Sequence, residues 1–177
     1  MFTGTDSSIN MSYSFPRNRS AVGCVIHTHP LKGYAAQSAI DIYTFIEDMA
    51  DDPYYGVGNI VKAANGSQYG IVITDPTKAQ QFLNTKSLFL NGADWNPTST
   101  IGMAFEKAER YFLDLYRTDP NQNNRAYEMA MASVLTEFNT GITLSKKNAQ
   151  GNFRPLVVRR VPHPLDPQKS NYFQDCQ

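Results

Sequence analysis

A short apolar run, Val22-Gly23-Cys24-Val25-Ile26, ends on two histidines one residue apart, His27-Thr28-His29, and Pro30 stops it. This reads as a buried strand over 21–28. Side chains alternate faces along a strand, so His27 and His29 point the same way and Thr28 points away. A helix-patterned segment follows from Ser38, with Asp41 three residues on. Two imidazoles and a carboxylate form a three-ligand set with a fourth corner open to water, which is what a catalytic zinc site requires. Each part also has a plain structural reading. Ser38 and Asp41 are good residues for a helix start, a capping box with a shorter acid. The histidines alone could be polar strand residues. The complete spacing favours a metal site over the sum of these parts.

Written out, the pattern is His27-x-His29-Pro30, seven residues, Ser38, two residues, Asp41. It resembles the signature of the JAB/MPN (JAMM) metalloprotease family, which includes deubiquitinating isopeptidases and bacterial relatives. The resemblance implies that His27, His29 and Asp41 bind Zn2+ and that Ser38 is catalytic, its hydroxyl stabilising the tetrahedral intermediate. The core likeness spans roughly residues 12–76. Family members use an upstream glutamate as general base, and here no glutamate precedes Glu47; the only acid before His27 is Asp6. Three alternatives stay open. The chain is a fragment cut after the strand that carries the base, or Asp6 serves instead, or the site binds metal without turnover.

The 177 residues suit a single domain, 1–177, with its core at about 12–84, a helical elaboration at about 99–139, and a hairpin and tail over 141–177. Sixteen basic and sixteen acidic residues balance, which gives no general case for nucleic acid. No apolar run reaches membrane-spanning length, and the leader shows no signal peptide. Cys24 and Cys176 do not make a disulfide framework; Cys24 reads as an apolar filler facing away from His27, and Cys176 as part of a loose terminus.

Along the chain, Met11–Phe15 reads as an edge strand paired with the histidine strand. Ile42, Phe45, Ile46 and Met49 recur at helical spacing up to Asp51-Asp52-Pro53. Strands over 58–63 and 68–74 flank Asn65-Gly66, a favoured type I′ turn pair. Asp75-Pro76-Thr77 opens a helix to Leu83, and 85–96 gives no clear pattern beyond its turn residues. Helices over 99–117 and 124–138 should form a hairpin packed on the sheet; a Met-rich partner groove is the alternative use of their methionines. Residues 141–146 and 153–161 read as a last hairpin, and the tail from Pro162 as an extended segment in which His163 is a surface residue. Lys146, Lys147, Arg154, Arg159 and Arg160 form a basic cluster that reads as a solvated face.

The expected fold is therefore α/β, a JAB/MPN-like (cytidine-deaminase-like) mixed sheet flanked by helices, with an added C-terminal helical hairpin. The function implied is zinc-dependent hydrolysis of peptide or isopeptide bonds in a protein or peptide substrate, with neither nucleic acid nor membrane as partner. The setting looks like the C-terminal module of a bacterial secreted or toxin-type protein. The alternative is a catalytically inactive JAB-like domain that serves protein interaction.

Overall fold

The computed structural model describes residues 4–5, 8–9, 25–30, 33–51, 58–163 and 166–174. Met11–Phe15, Asp6, Cys24, Cys176 and the first four residues of the expected histidine strand lie outside that set. The elements in chain order are β1 (Gly4–Thr5), β2 (Ser8–Ile9), β3 (Val25–His29), α1 (Ala39–Asp51), β4 (Gly58–Ala63), β5 (Gln68–Ile73), α2 (Pro76–Leu83) and α3 (Lys86–Phe89). There follow β6 (Leu90–Asn91), β7 (Asp94–Trp95), α4 (Thr100–Leu115), α5 (Gln122–Glu137), β8 (Ile142–Lys147), β9 (Phe153–Pro155), β10 (Val158–His163) and β11 (Asp166–Gln174). Among the described residues no helix is long and apolar enough to cross a membrane.

The fold is mixed α/β. Five strands form one sheet in the order β3-β4-β5-β8-β9. The β3–β4 pair is parallel, with His27 opposite Val61 and His29 opposite Ala63, and the remaining pairs are antiparallel. Parallel neighbours need a crossover, and α1 supplies it. Helix α1 buries Ala39, Ile42, Tyr43, Phe45 and Ile46, the stripe its helical spacing anticipates. The β4–β5 hairpin turns as a type I turn closed by Gly66, not as type I′. The Gly66 N–H donates to the Ala63 carbonyl at 3.0 Å, and Gly66 alone of the turn residues has positive φ, at 86°. A type I′ turn needs both central residues there, and Asn65 stays out of that region.

Helix α2 starts where Asp75 accepts from the Lys78 N–H at 3.1 Å, with Pro76 in the first turn, where its missing N–H costs no helical bond. The segment without a clear pattern, 85–96, becomes the short α3 and the tight β6–β7 hairpin. Its product is Trp95, buried against Tyr43 and Phe82.

The helical hairpin α4–α5 forms as expected. Helix α4 is capped by Ser99, whose hydroxyl accepts from the Gly102 N–H at 3.1 Å. At Gly102 the helix touches the preceding loop so closely that an added Cβ would lie 1.9 Å from the Asn96 carbonyl oxygen. Helix α5 is buried on all sides from Ala126 to Leu135 and packs on α4, β8 and β10. Met129 and Met131 are core residues, while Met103 of α4 is exposed. The buried Glu128 carboxylate is satisfied by Lys146 Nζ at 2.7 and 2.9 Å and by the Tyr69 hydroxyl at 2.5 Å. Two members of the basic cluster are therefore tied to α5, since Arg160 also reaches Glu137 at 2.8 Å.

The C-terminal region departs from expectation. Residues 153–161 are not one strand, and the extended tail is paired as a strand. Phe153–Pro155 stays on the main sheet, whereas Val158–His163 leaves it to pair antiparallel with Asp166–Gln174. The Leu156 N–H still donates to the Leu144 carbonyl at 2.7 Å, and beyond it the chain leaves β8, with Leu156 and Val158 buried in the core. The tail holds its place by backbone pairing, by Ser170, whose hydroxyl accepts from Arg160 Nε at 2.7 Å, and by Tyr172, packed against Tyr111 and Phe112. Nothing in its low apolar content announces this.

Candidate metal centre

The site lies where β3 ends and α1 begins. Parallel pairing with β4 holds β3 straight, so period-two alternation turns both imidazoles to the α1 side and leaves Thr28 exposed. The Ala64 N–H donates to the His29 carbonyl at 3.0 Å and pins the strand end. Ser38 starts α1 with its carbonyl accepting from Ile42 N–H at 3.3 Å. Its hydroxyl accepts from the Asp41 N–H at 3.4 Å, while Asp41 Oδ2 accepts from the Ser38 N–H at 2.8 Å. This is the reciprocal capping box, made with aspartate.

The same carboxylate faces the strand. His27 Nε2 and His29 Nε2 are 3.2 Å apart, His29 Nε2 is 3.3 Å from Asp41 Oδ2, and His27 Nε2 is 3.6 Å from Asp41 Oδ1. A tetrahedral ion with bonds of about 2.0–2.1 Å separates its donors by about 3.3–3.4 Å. The triangle has that size, so this His27–His29–Asp41 group could hold a metal ion.

The polarity of the group supports the fit. His29 Nδ1 lies 3.0 Å from the Tyr34 carbonyl, which can only accept, so that nitrogen carries the proton. In neutral His29 the Nε2 lone pair then points at another imidazole nitrogen and at a carboxylate. Where the His27 Nε2 is also unprotonated, three lone-pair donors meet there, an arrangement that a metal ion could fill. Burial works to lower the His29 pKa, yet Asp41 and the Tyr34 carbonyl overcome it and raise the pKa above its ordinary value. Burial works to raise the Asp41 pKa, yet hydrogen bonds from His27, His29 and Ser38 hold it well below the usual carboxylate range.

Ser38 sits beside the triangle, but its hydroxyl proton is engaged: Ser38 Oγ donates to Asp41 Oδ2 at 2.7 Å. In this arrangement Ser38 orients the Asp41 carboxylate, and service to an oxyanion would require its hydroxyl to rotate.

The loop from Tyr34 to Ser38 is fastened from the far end of the chain. The Ala35 N–H donates to Asn124 Oδ1 at 3.0 Å, and the Tyr127 hydroxyl to the Gln37 carbonyl at 3.4 Å. The Tyr34 and Tyr127 rings stack at 3.9 Å. Fully buried Gln37 donates to the carbonyls of Asn59 and Tyr69 at 3.2 and 3.4 Å, tying the loop to the sheet. The helical hairpin expected as an elaboration is thus a wall of the site. Tyr34, Gln37, Asn124 and Tyr127 carried no motif that would single them out. The only available signal was that Tyr34 and Gln37 fall between the histidines and Asp41.

The four residues of the sequence pattern, His27, His29, Ser38 and Asp41, are brought together. Among the described residues this is the single group of three or more potential metal ligands close enough to share an ion. No protein-family model, curated protein or solved structure matches the chain.

Proposed function

We propose that this chain is a zinc-dependent hydrolase of peptide or isopeptide bonds, with a JAB/MPN-like arrangement of sheet and metal helix. The observation that carries the reading is the donor triangle of 3.2, 3.3 and 3.6 Å with His29 oriented through Nδ1. Two neutral imidazoles and one carboxylate from a strand end and a helix start leave one position open, the composition of a catalytic site. Zinc supplies Lewis acidity there, polarising a carbonyl and making water nucleophilic near neutral pH. His27, His29 and Asp41 would hold it. Tyr34, through its carbonyl, keeps His29 in the ligating tautomer, and Ser38 keeps Asp41 turned to the strand. The setting fits a module of a bacterial secreted or toxin-type protein.

A second reading, a metal-holding interaction domain without turnover, is favoured by one specific observation. Among the described residues no second carboxylate joins the group to act as general base.

Metal content separates these readings from a metal-free domain. Protein purified without chelator should carry about one zinc per chain, and His27→Ala, His29→Ala should carry none. Absence of zinc after reconstitution would refute both metal readings. Zinc-dependent cleavage of a peptide or isopeptide library then decides for the enzyme, and its absence in zinc-loaded protein decides for the interaction domain.

A further inference from the structure

A cavity of about 220 Å³ shares Tyr34 with the surroundings of the metal centre. Tyr34 joins the two, since its carbonyl holds His29 Nδ1 and its ring is a cavity wall. Tyr127 is the second link: it lines the cavity, stacks on Tyr34, and has Asp41 within electrostatic reach of its hydroxyl. Trp95 and Phe105 complete an aromatic lining. The volume falls below the roughly 300–1,000 Å³ of pockets that enclose whole small molecules, and suits one long side chain.

Three carboxylates share this space: Asp94, Glu106 and Glu109. Glu106 is paired with Arg110 at 2.8 Å. Asp94 and Glu109 have no salt bridge among the described residues. Burial, with Glu106 and Asp94 close by, pushes the Glu109 carboxyl up, against the hydrogen bond from the Tyr34 hydroxyl. Negative charge is costly at Glu109, and among the described residues neither it nor Asp94 has an ion-pair partner. Trp95 packs into this wall, only 7 % exposed, and among the described residues its indole N–H has no acceptor. Aromatic walls with uncompensated carboxylates select a cation.

We propose that this cavity receives a basic side chain, lysine or arginine, of the peptide segment that reaches the metal centre. The assignment rests on the hydrolase reading for the reacting amide, but the binding of the basic side chain is measurable without turnover.

Trp95 is the one tryptophan of the chain, so its fluorescence reports on this cavity. The full chain is titrated with acetyl-Gly-Lys-Gly-amide and with its norleucine counterpart, with calorimetry alongside to catch binding that fluorescence does not show. The lysine peptide should give saturable binding and the norleucine peptide should bind at least roughly tenfold more weakly, the ratio that one well-placed charge supplies. Glu109→Gln and Asp94→Asn should each abolish most of that preference, with circular dichroism confirming the fold; Asp94 is exposed on a two-residue strand and gives the safer variant. Equal binding of the two peptides, or none by either method, overturns the proposal. Selective lysine binding by protein that takes up no zinc would leave the pocket standing and remove the hydrolase. Zinc-dependent cleavage indifferent to lysine or norleucine would do the reverse.

Discussion

Asp41 Oδ2 accepts from both the N–H and the hydroxyl of Ser38, at 2.8 and 2.7 Å, so the atom that caps α1 also faces the His29 imidazole. Helix start and candidate metal ligand are one structural unit. The conformation that satisfies the helix's free N–H groups also fixes the carboxylate against the strand.

Ser38→Ala therefore acts on both. The lost cap should destabilise the fold by about 1 kcal/mol. Zinc affinity should drop by roughly 10–100-fold, as for other groups that orient a ligand from behind. Chemical denaturation and a chelator competition measure the two separately. Unchanged zinc affinity together with lost turnover would show that the hydroxyl serves the reaction and not the ligand.

Gly102 tests the seam between α4 and the loop before it. A methyl group there meets the Asn96 carbonyl and the Pro97 backbone, neither of which is a movable side-chain end. Gly102→Ala should destabilise by roughly 3 kcal/mol or more, the upper end for overpacking, although alanine favours an isolated helix. A thermal midpoint equal to that of the unaltered chain would contradict the close approach.

Lys146→Met leaves the Glu128 carboxylate buried with the Tyr69 hydroxyl and no cation. Removing one partner of a buried pair costs roughly 3–5 kcal/mol. The Lys146 side chain is a third exposed, so solvent already screens part of the pair and the loss should lie at or below the low end of that range. Lys146→Met combined with Glu128→Gln should recover part of it, and a double-mutant cycle by urea unfolding gives the coupling.

Alkali should act on the buried tyrosines, Tyr43 among them. Burial pushes the Tyr43 hydroxyl up from 10.0 to about 12, against the opposing hydrogen bond with Thr85. The unfolded chain then ionises first. Stability from this group is intact below about pH 10 and falls as pH rises through about 12. Tyr43→Phe should make the decline between those values shallower by one proton's worth. An identical slope in the variant would rule out Tyr43 as a contributor.

The sequence by itself determined what neighbouring residues can encode. Period two placed His27 and His29 on one face, and the three-residue step from Ser38 to Asp41 wrote the capping box. Helical spacing marked α1, α4 and α5, and the strands of the β4–β5 hairpin were legible with nearly their observed ends. These signals are local because backbone geometry sets the side-chain direction within a turn or a pleat. Only the tertiary structure decided that Asp41 lies 3.3 Å from His29, across a loop whose course no spacing describes. It also decided that Asn124 and Tyr127, some ninety residues away, fasten that loop. Trp95 became a core residue from an unpatterned stretch, and Tyr172 anchored a polar tail as a strand. Such choices depend on which surfaces are buried together when the layers close. Burial rewards shape and area that residues far apart in the chain supply jointly, and no stretch of sequence records that alone.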